Sequence, residues 1–194
     1  MSFVRNFFWT LTAIVLPALG LAAAEKDADL QSYRVGNPNS NTEIFLFTNW
    51  YCHHCQDLEP SLQKFLPKML EKSQVTFVDL SFDGYENLAK FNLAYLLNNK
   101  KDYLKIRPIL EQLTQSNPTA TPETITVELK KNQIEVVPLQ DATYNQLRQN
   151  YKKLMDQFEV TKTPTLVVVN RATQAKKKLN GEQITEKNVM EAIK

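Results

Sequence analysis

Both cysteines and both histidines of this 194-residue chain stand in one tetrapeptide, Cys52-His53-His54-Cys55. An apolar run, Ile44-Phe45-Leu46-Phe47, precedes it, and an amphipathic stretch from Leu58 to Leu70 follows. Two cysteines with two residues between them, where a strand gives way to a helix, read as a dithiol/disulfide redox pair. The spacing has a physical reason. Cys52 at the helix start lies beside unsatisfied backbone N–H groups and the positive end of the helix dipole, and both favour thiolate over thiol. Cys52 is therefore expected to be the nucleophile. Cys55, one turn further on and more buried, is placed to attack a mixed disulfide formed at Cys52 and resolve it. His53 and His54 can donate hydrogen bonds to the thiolate or, when protonated, add positive charge. A stabilised thiolate makes the reduced form stable and the disulfide a strong oxidant.

Three other uses of these residues compete with exchange chemistry. A purely structural disulfide between Cys52 and Cys55 closes a very small loop and so constrains the unfolded chain least. A copper or zinc chaperone site would draw on the same four side chains. Four consecutive residues cannot easily surround one tetrahedral ion, and the chain holds no other His or Cys to complete a shell. Covalent haem attachment is disfavoured because Gln56, not histidine, follows Cys55.

Apolar residues make up 43% of the chain, ample for one core, and the length suits one domain with an insertion. The net charge of +2 is too small to argue for nucleic acid. Residues 1–24 read as a secretory signal: Arg5 supplies the basic start, Phe7 to Leu21 the apolar stretch, and Ala22-Ala23-Ala24 the small residues for cleavage before Glu25. Export implies an oxidising compartment, where disulfide chemistry belongs, and the pattern suits a bacterial periplasm.

These elements must position the tetrapeptide. Tyr33-Arg34-Val35 reads as a short edge strand, Glu43 to Thr48 as a buried strand and Gln74 to Leu80 as the next one. The helix that starts near Cys52 carries Leu58, Leu62, Phe65, Leu66 and Met69 at helical spacing, with a kink expected at Pro60. Tyr85 to Phe158 is mainly helical: one helix through Leu88 to Leu97, another over Tyr103 to Leu113 bent at Pro108, a third over Pro122 to Asn132 capped by Thr121, and a fourth to Phe158 capped by Asp141. Alternation of Ile125, Val127 and Leu129 also fits a strand. Leu166 to Val169 and Ala175 to Leu179 are strands, and Lys176-Lys177-Lys178 protects a sheet edge. Thr185 caps a last helix.

With these residues assembled, the chain resembles the thioredoxin superfamily, and most closely the DsbA-like thiol:disulfide oxidoreductases. The matching stretch is Phe47-Thr48-Asn49-Trp50-Tyr51-Cys52-His53-His54-Cys55. The family motif is Cys-Pro-His-Cys, so His54 matches its histidine and His53 replaces its proline. Pro60 matches the kink proline of the active-site helix. Val160-Thr161-Lys162-Thr163-Pro164-Thr165 is similar to the segment whose cis-proline faces the redox pair. The resemblance implies an α/β thioredoxin fold with a helical insertion, at about residues 85–158 of a domain spanning 25–194, between a βαβ half and a ββα half.

The resemblance also implies that Thr163 presents its backbone to an extended client segment, with Pro164 beside Cys52, and that Trp50 and Tyr51 line the client surface. Core packing explains the two aromatics equally well. The implied function is a monomeric periplasmic oxidase, without cofactor, that donates its disulfide to exported proteins with cysteine pairs and is reoxidised by a membrane partner of the DsbB type. A reductase or isomerase is the alternative direction. One departure matters: the family's buried acid, six residues before the first active cysteine, is Leu46 here. A water or a residue elsewhere must then accept the proton of Cys55.

Overall fold

The computed structural model describes residues 29–117 and 119–194. The signal expected over residues 1–24 lies outside them. The strands are β1 (Arg34–Gly36), β2 (Thr42–Asn49), β3 (Gln74–Leu80), β4 (Thr165–Asn170) and β5 (Lys176–Asn180). The helices are α1 (His53–Lys72), α2 (Asn87–Asn98), α3 (Arg107–Ser116), α4 (Pro122–Lys131), α5 (Asp141–Phe158) and α6 (Glu186–Ala192).

One sheet is ordered β1-β3-β2-β4-β5, with β2 and β3 parallel and every other pair antiparallel. β2 is central and every one of its residues is buried, as expected of a strand covered on both faces. Helix α1 brings Leu62, Phe65, Leu66 and Met69 into the core, and α5 brings Tyr144, Leu147, Tyr151 and Phe158. Phe158 packs against Phe45, with ring centroids 4.9 Å apart. Alternation along a strand sends side chains to opposite faces. Leu46 and Thr48 therefore share a face with their register partners on β3, Phe77 and Asp79, and that face meets Tyr103 (4.9 Å from the Phe77 ring) and Arg107.

The edge strand β5 exposes Lys176, Lys177 and Lys178, which guard the sheet against further pairing. Thr121 accepts from Thr124 N at 3.3 Å and Thr185 from Asn188 N at 3.2 Å, so both cap as expected. Ile125 and Leu129 are buried while Val127 is 55% exposed, which places 125 and 129 on one face and resolves the ambiguity in favour of a helix.

Several boundaries differ from expectation. Tyr33 ends a 3₁₀ turn over Leu30–Tyr33, capped by the Asp29 side chain, which accepts from Gln31 N, so the edge strand starts at Arg34 and runs to Gly36. Pro108 does not bend a helix from Tyr103; a short 3₁₀ turn over Tyr103–Lys105 ends first, and Pro108 sits in the first turn of α3, where its missing N–H costs nothing. Asp141 is the first helical residue of α5, not its cap, which is Gln140. Its charge still suits that helix end and pairs with Lys90 at 2.7 Å. Pro60 and Pro67 both lie inside a continuous α1.

Candidate active site

The buried strand β2 delivers the chain to a turn at Trp50 and Tyr51, and α1 begins directly after. Cys52 is the N-cap of α1, in extended conformation and with no side-chain capping bond. Two side chains hold the turn: Asn49 Oδ1 accepts from Tyr51 N and Gln56 Nε2 donates to Trp50 O, both at 2.8 Å. The first turn of α1 closes on Cys52 O, which accepts from Cys55 N (2.8 Å) and Gln56 N (3.0 Å).

The start of β4 builds the facing wall. Phe47 is level with Thr165 in the β2–β4 ladder, so Thr163 and Pro164 run on beside the end of β2. The Thr163–Pro164 bond is cis. Pro164 O accepts from Gly181 N at 3.0 Å, and Thr165 Oγ1 bonds Lys162 O and Asn180 Oδ1 at 2.8 Å, which fixes this loop against β5. The Cys52 thiol then donates to Thr163 O at 3.6 Å.

The two thiols have opposite acidities. Partial burial works against the Cys52 thiolate, but hydrogen bonds from the Thr163 and Cys55 side chains and from the N–H groups of Cys55 and His54 outweigh it, so its pKa falls below the ordinary thiol value. Cys55 is buried, and loss of solvent pushes its thiol up to about 12, against the opposing N–H of Asn49 and side chain of Thr163. Both residues are free thiols in this structure.

The histidines sit differently from expectation. The rings of His53 and His54 are exposed and 6.0 Å apart, and His53 faces Asp57 at 3.6 Å. What His54 contributes to the thiolate is its backbone N–H, not its imidazole, because the first turn of a helix aims backbone donors at the cap while its side chains splay outward. Of the two readings open for Trp50, core packing describes its surroundings. It is 8% exposed, belongs to the core and lies under the guanidinium of Arg107, 5.0 Å from its ring. Tyr51 is half-buried and meets the ring of Tyr85 edge-on at 5.0 Å. Beside Pro164 runs a groove of about 480 Å³ lined by His54, Asp57, Lys162, Thr163 and Glu182, among others.

Sequence reasoning missed a charged cluster behind Cys55. Arg107, 1% exposed, donates to both oxygens of Glu59 (2.7 and 2.6 Å) and to Tyr103 Oη (2.8 Å). On the far side of Arg107, the fully buried Asp79 accepts from Thr48 Oγ1 (3.2 Å) and from Asn92 Nδ2. Burial holds the Asp79 carboxyl above its usual range although Arg107 and these donors pull the other way. Two signals were available: an acid in the apolar strand Gln74–Leu80, and an acid one helical turn after Cys55. Among the described residues, no three His, Cys, Asp or Glu side chains gather into a metal-binding group.

A family model described as Thioredoxin matches residues 29–193. No curated protein matches the chain. Among solved structures, the chain is similar to a periplasmic thioredoxin-like protein from Salmonella enterica serovar Typhimurium, at a TM-score of 0.64 and 18% identity over 88% of this chain and 94% of that one. The catalytic domain of Proteus mirabilis ScsC gives 0.62 at 22% identity, covering 88% and 96%. Wolbachia pipientis alpha-DsbA1 gives 0.63 at 14% identity, covering 83% and 88%. These likenesses establish the fold: a thioredoxin sheet with helices α2 to α5 between β3 and β4.

Proposed function

The chain belongs to the thioredoxin family of thiol:disulfide oxidoreductases, and from that we propose that it is a periplasmic oxidase that donates the Cys52–Cys55 disulfide to exported proteins. The observation that carries this reading is the unequal pair of thiols: Cys52 is accessible at a helix N-terminus with its pKa lowered, and Cys55 lies beneath it with its pKa pushed up to about 12. A client thiolate attacks Cys52 Sγ, and a mixed disulfide forms as Cys55 leaves. A second client thiolate then attacks the client sulfur of that bond, and Cys52 leaves as a thiolate that its surroundings stabilise. The two client electrons end on the pair. Stabilisation of the departing Cys52 favours the reduced protein and hence disulfide donation.

Client binding falls to the wall beside Cys52. Thr163 offers main-chain groups to an extended segment in the manner of strand addition, and the groove along His54, Lys162 and Pro164 takes its side chains. The periplasmic Salmonella neighbour supports the assigned compartment, and a membrane redox partner of the DsbB type is the proposed reoxidant of the monomeric protein.

The test is a pair of cysteine variants. Cys52→Ala should abolish exchange with a reduced, unfolded client such as ribonuclease. Cys55→Ala, mixed with a client that already carries a disulfide, should accumulate mixed disulfides visible on non-reducing gels: the Cys52 thiolate attacks the client disulfide, one client sulfur leaves as a thiolate, and the thiol that would resolve the adduct is gone. Full exchange by Cys52→Ala, or no adduct from Cys55→Ala, would overturn the assigned roles.

A further inference from the structure

The raised pKa of Cys55 creates a problem that Cys52 does not have. A buried thiol held at about 12 is a poor leaving group as a bare thiolate. It must gain a proton as the disulfide opens and lose it when the disulfide closes, and Leu46 supplies no carboxyl for that purpose.

A small cavity lies against Cys55, between α1 and α3. Cys55, Glu59, Arg107, Glu111 and Thr114 line it, and at about 10 Å³ it has room for about one water. Cys55 and Glu59 are one turn apart on α1 and so share a face. Both Glu59 oxygens accept from Arg107, and Oε1 accepts from Gln63 as well (3.3 Å), so this carboxylate is fixed as the partner of a buried cation. Gln63 Nε2 also donates to Glu111 Oε2 at 3.0 Å and thereby holds the second carboxyl at the cavity. Glu111 is half-buried, in touch with the cavity on one side and with solvent on the other. Asp79 does not line the cavity.

We propose that Glu111 is the proton relay of Cys55, exchanging a proton with the Cys55 thiol through a water in this cavity. In disulfide donation, the incoming thiolate forms a bond to Cys52 Sγ. The Cys52–Cys55 bond breaks and its electron pair goes to Cys55 Sγ. The water gives a proton to that sulfur and takes one from Glu111, whose carboxylate is then reprotonated from solvent. Closing the disulfide runs the same path backwards. Burial, and the negative charge of Glu59, hold the Glu111 carboxyl above its ordinary range against the pull of Gln63 and Arg107, which brings it nearer to working pH. Glu59 on α1 and Arg107 on α3 are the charged groups that face it.

The inference rests on the disulfide-exchange reading, and one experiment separates the two. Oxidised wild type, Glu111→Gln and Glu111→Asp are mixed with reduced glutathione between about pH 5 and 9, with rates normalised to glutathione thiolate. The relay predicts that Glu111→Gln slows the reaction by about a hundredfold at neutral pH, the low side of general acid–base effects, and removes one carboxyl ionisation from the pH profile. Glu111→Asp should keep that ionisation. The Cys52 thiolate titration should be the same in all three proteins, which a merely structural disturbance would not leave intact. A Glu111→Gln protein with the wild-type rate and profile would overturn the relay alone. A wild type that does not react with glutathione would overturn the exchange reading itself.

Discussion

Cys52 and Cys55 share a helical turn yet meet different surroundings, and the chemistry follows from that difference. In the reduced protein, a thiolate absorbance titration should show Cys52 ionising below the ordinary thiol value and Cys55 staying protonated until about pH 12. The effects on stability have opposite signs. Cys52, lowered by folding, stabilises the reduced fold above its unfolded pKa, and this is lost as pH falls through the folded value. Cys55, raised by folding, stabilises below its unfolded pKa, and this is lost as pH rises toward 12. Because His54 helps the thiolate through its backbone N–H, which remains in the alanine variant, His54→Ala should move the Cys52 titration less than Thr163→Val, which deletes a side-chain partner of the thiolate. A larger rise in His54→Ala would contradict this. The tetrapeptide and the Thr163-Pro164 step were legible in the sequence because each is a local pattern. Glu59 could be read only as an acid one helical turn after Cys55, and Arg107 and Glu111 not at all, because α1 and α3 meet only through the fold and no short motif records that contact.

At the scale of elements, the buried pair Glu59–Arg107 ties α1 to α3 directly behind the redox site. Arg107→Met leaves Glu59 buried without its partner and should cost about 3–5 kcal/mol in urea denaturation. The double variant Glu59→Leu with Arg107→Met should recover most of that loss, since removing both charges is far cheaper than removing one. Failure of the double variant to recover would mean that the pair does more than satisfy itself. Gly36 makes a second junction. Its φ of +96° disfavours any side chain, and a Cβ there would meet Ser73 O and, at 2.8 Å, Leu70 O at the end of α1. Gly36→Ala should therefore destabilise by at least about 1 kcal/mol, read from the same denaturation curves. Strand and helix types followed from periodicity, but Pro108 shows where that reading stops. Proline marks a discontinuity, and whether it bends a helix or begins one depends on the preceding turn, here Tyr103–Lys105.

At the scale of the molecule, a fully buried central strand, β2, ends where the antiparallel strand β4 begins, and the parallel crossover through α1 returns the chain to β3. That topology brings Thr163 to Cys52 across 111 residues of sequence, with α2 to α5 packed between. The halves on either side of the helices could be read from their order along the chain. Their docking could not, because it rests on register pairs such as Phe47 with Thr165. The measurement that bears most directly on disulfide donation is the equilibrium reduction potential of the Cys52/Cys55 pair in a glutathione buffer. The stabilised Cys52 thiolate predicts a potential well above the glutathione couple, toward that of strong oxidants at about −120 mV. A value near that of thioredoxin, about −270 mV, would contradict disulfide donation and make the protein a reductase built on the same fold.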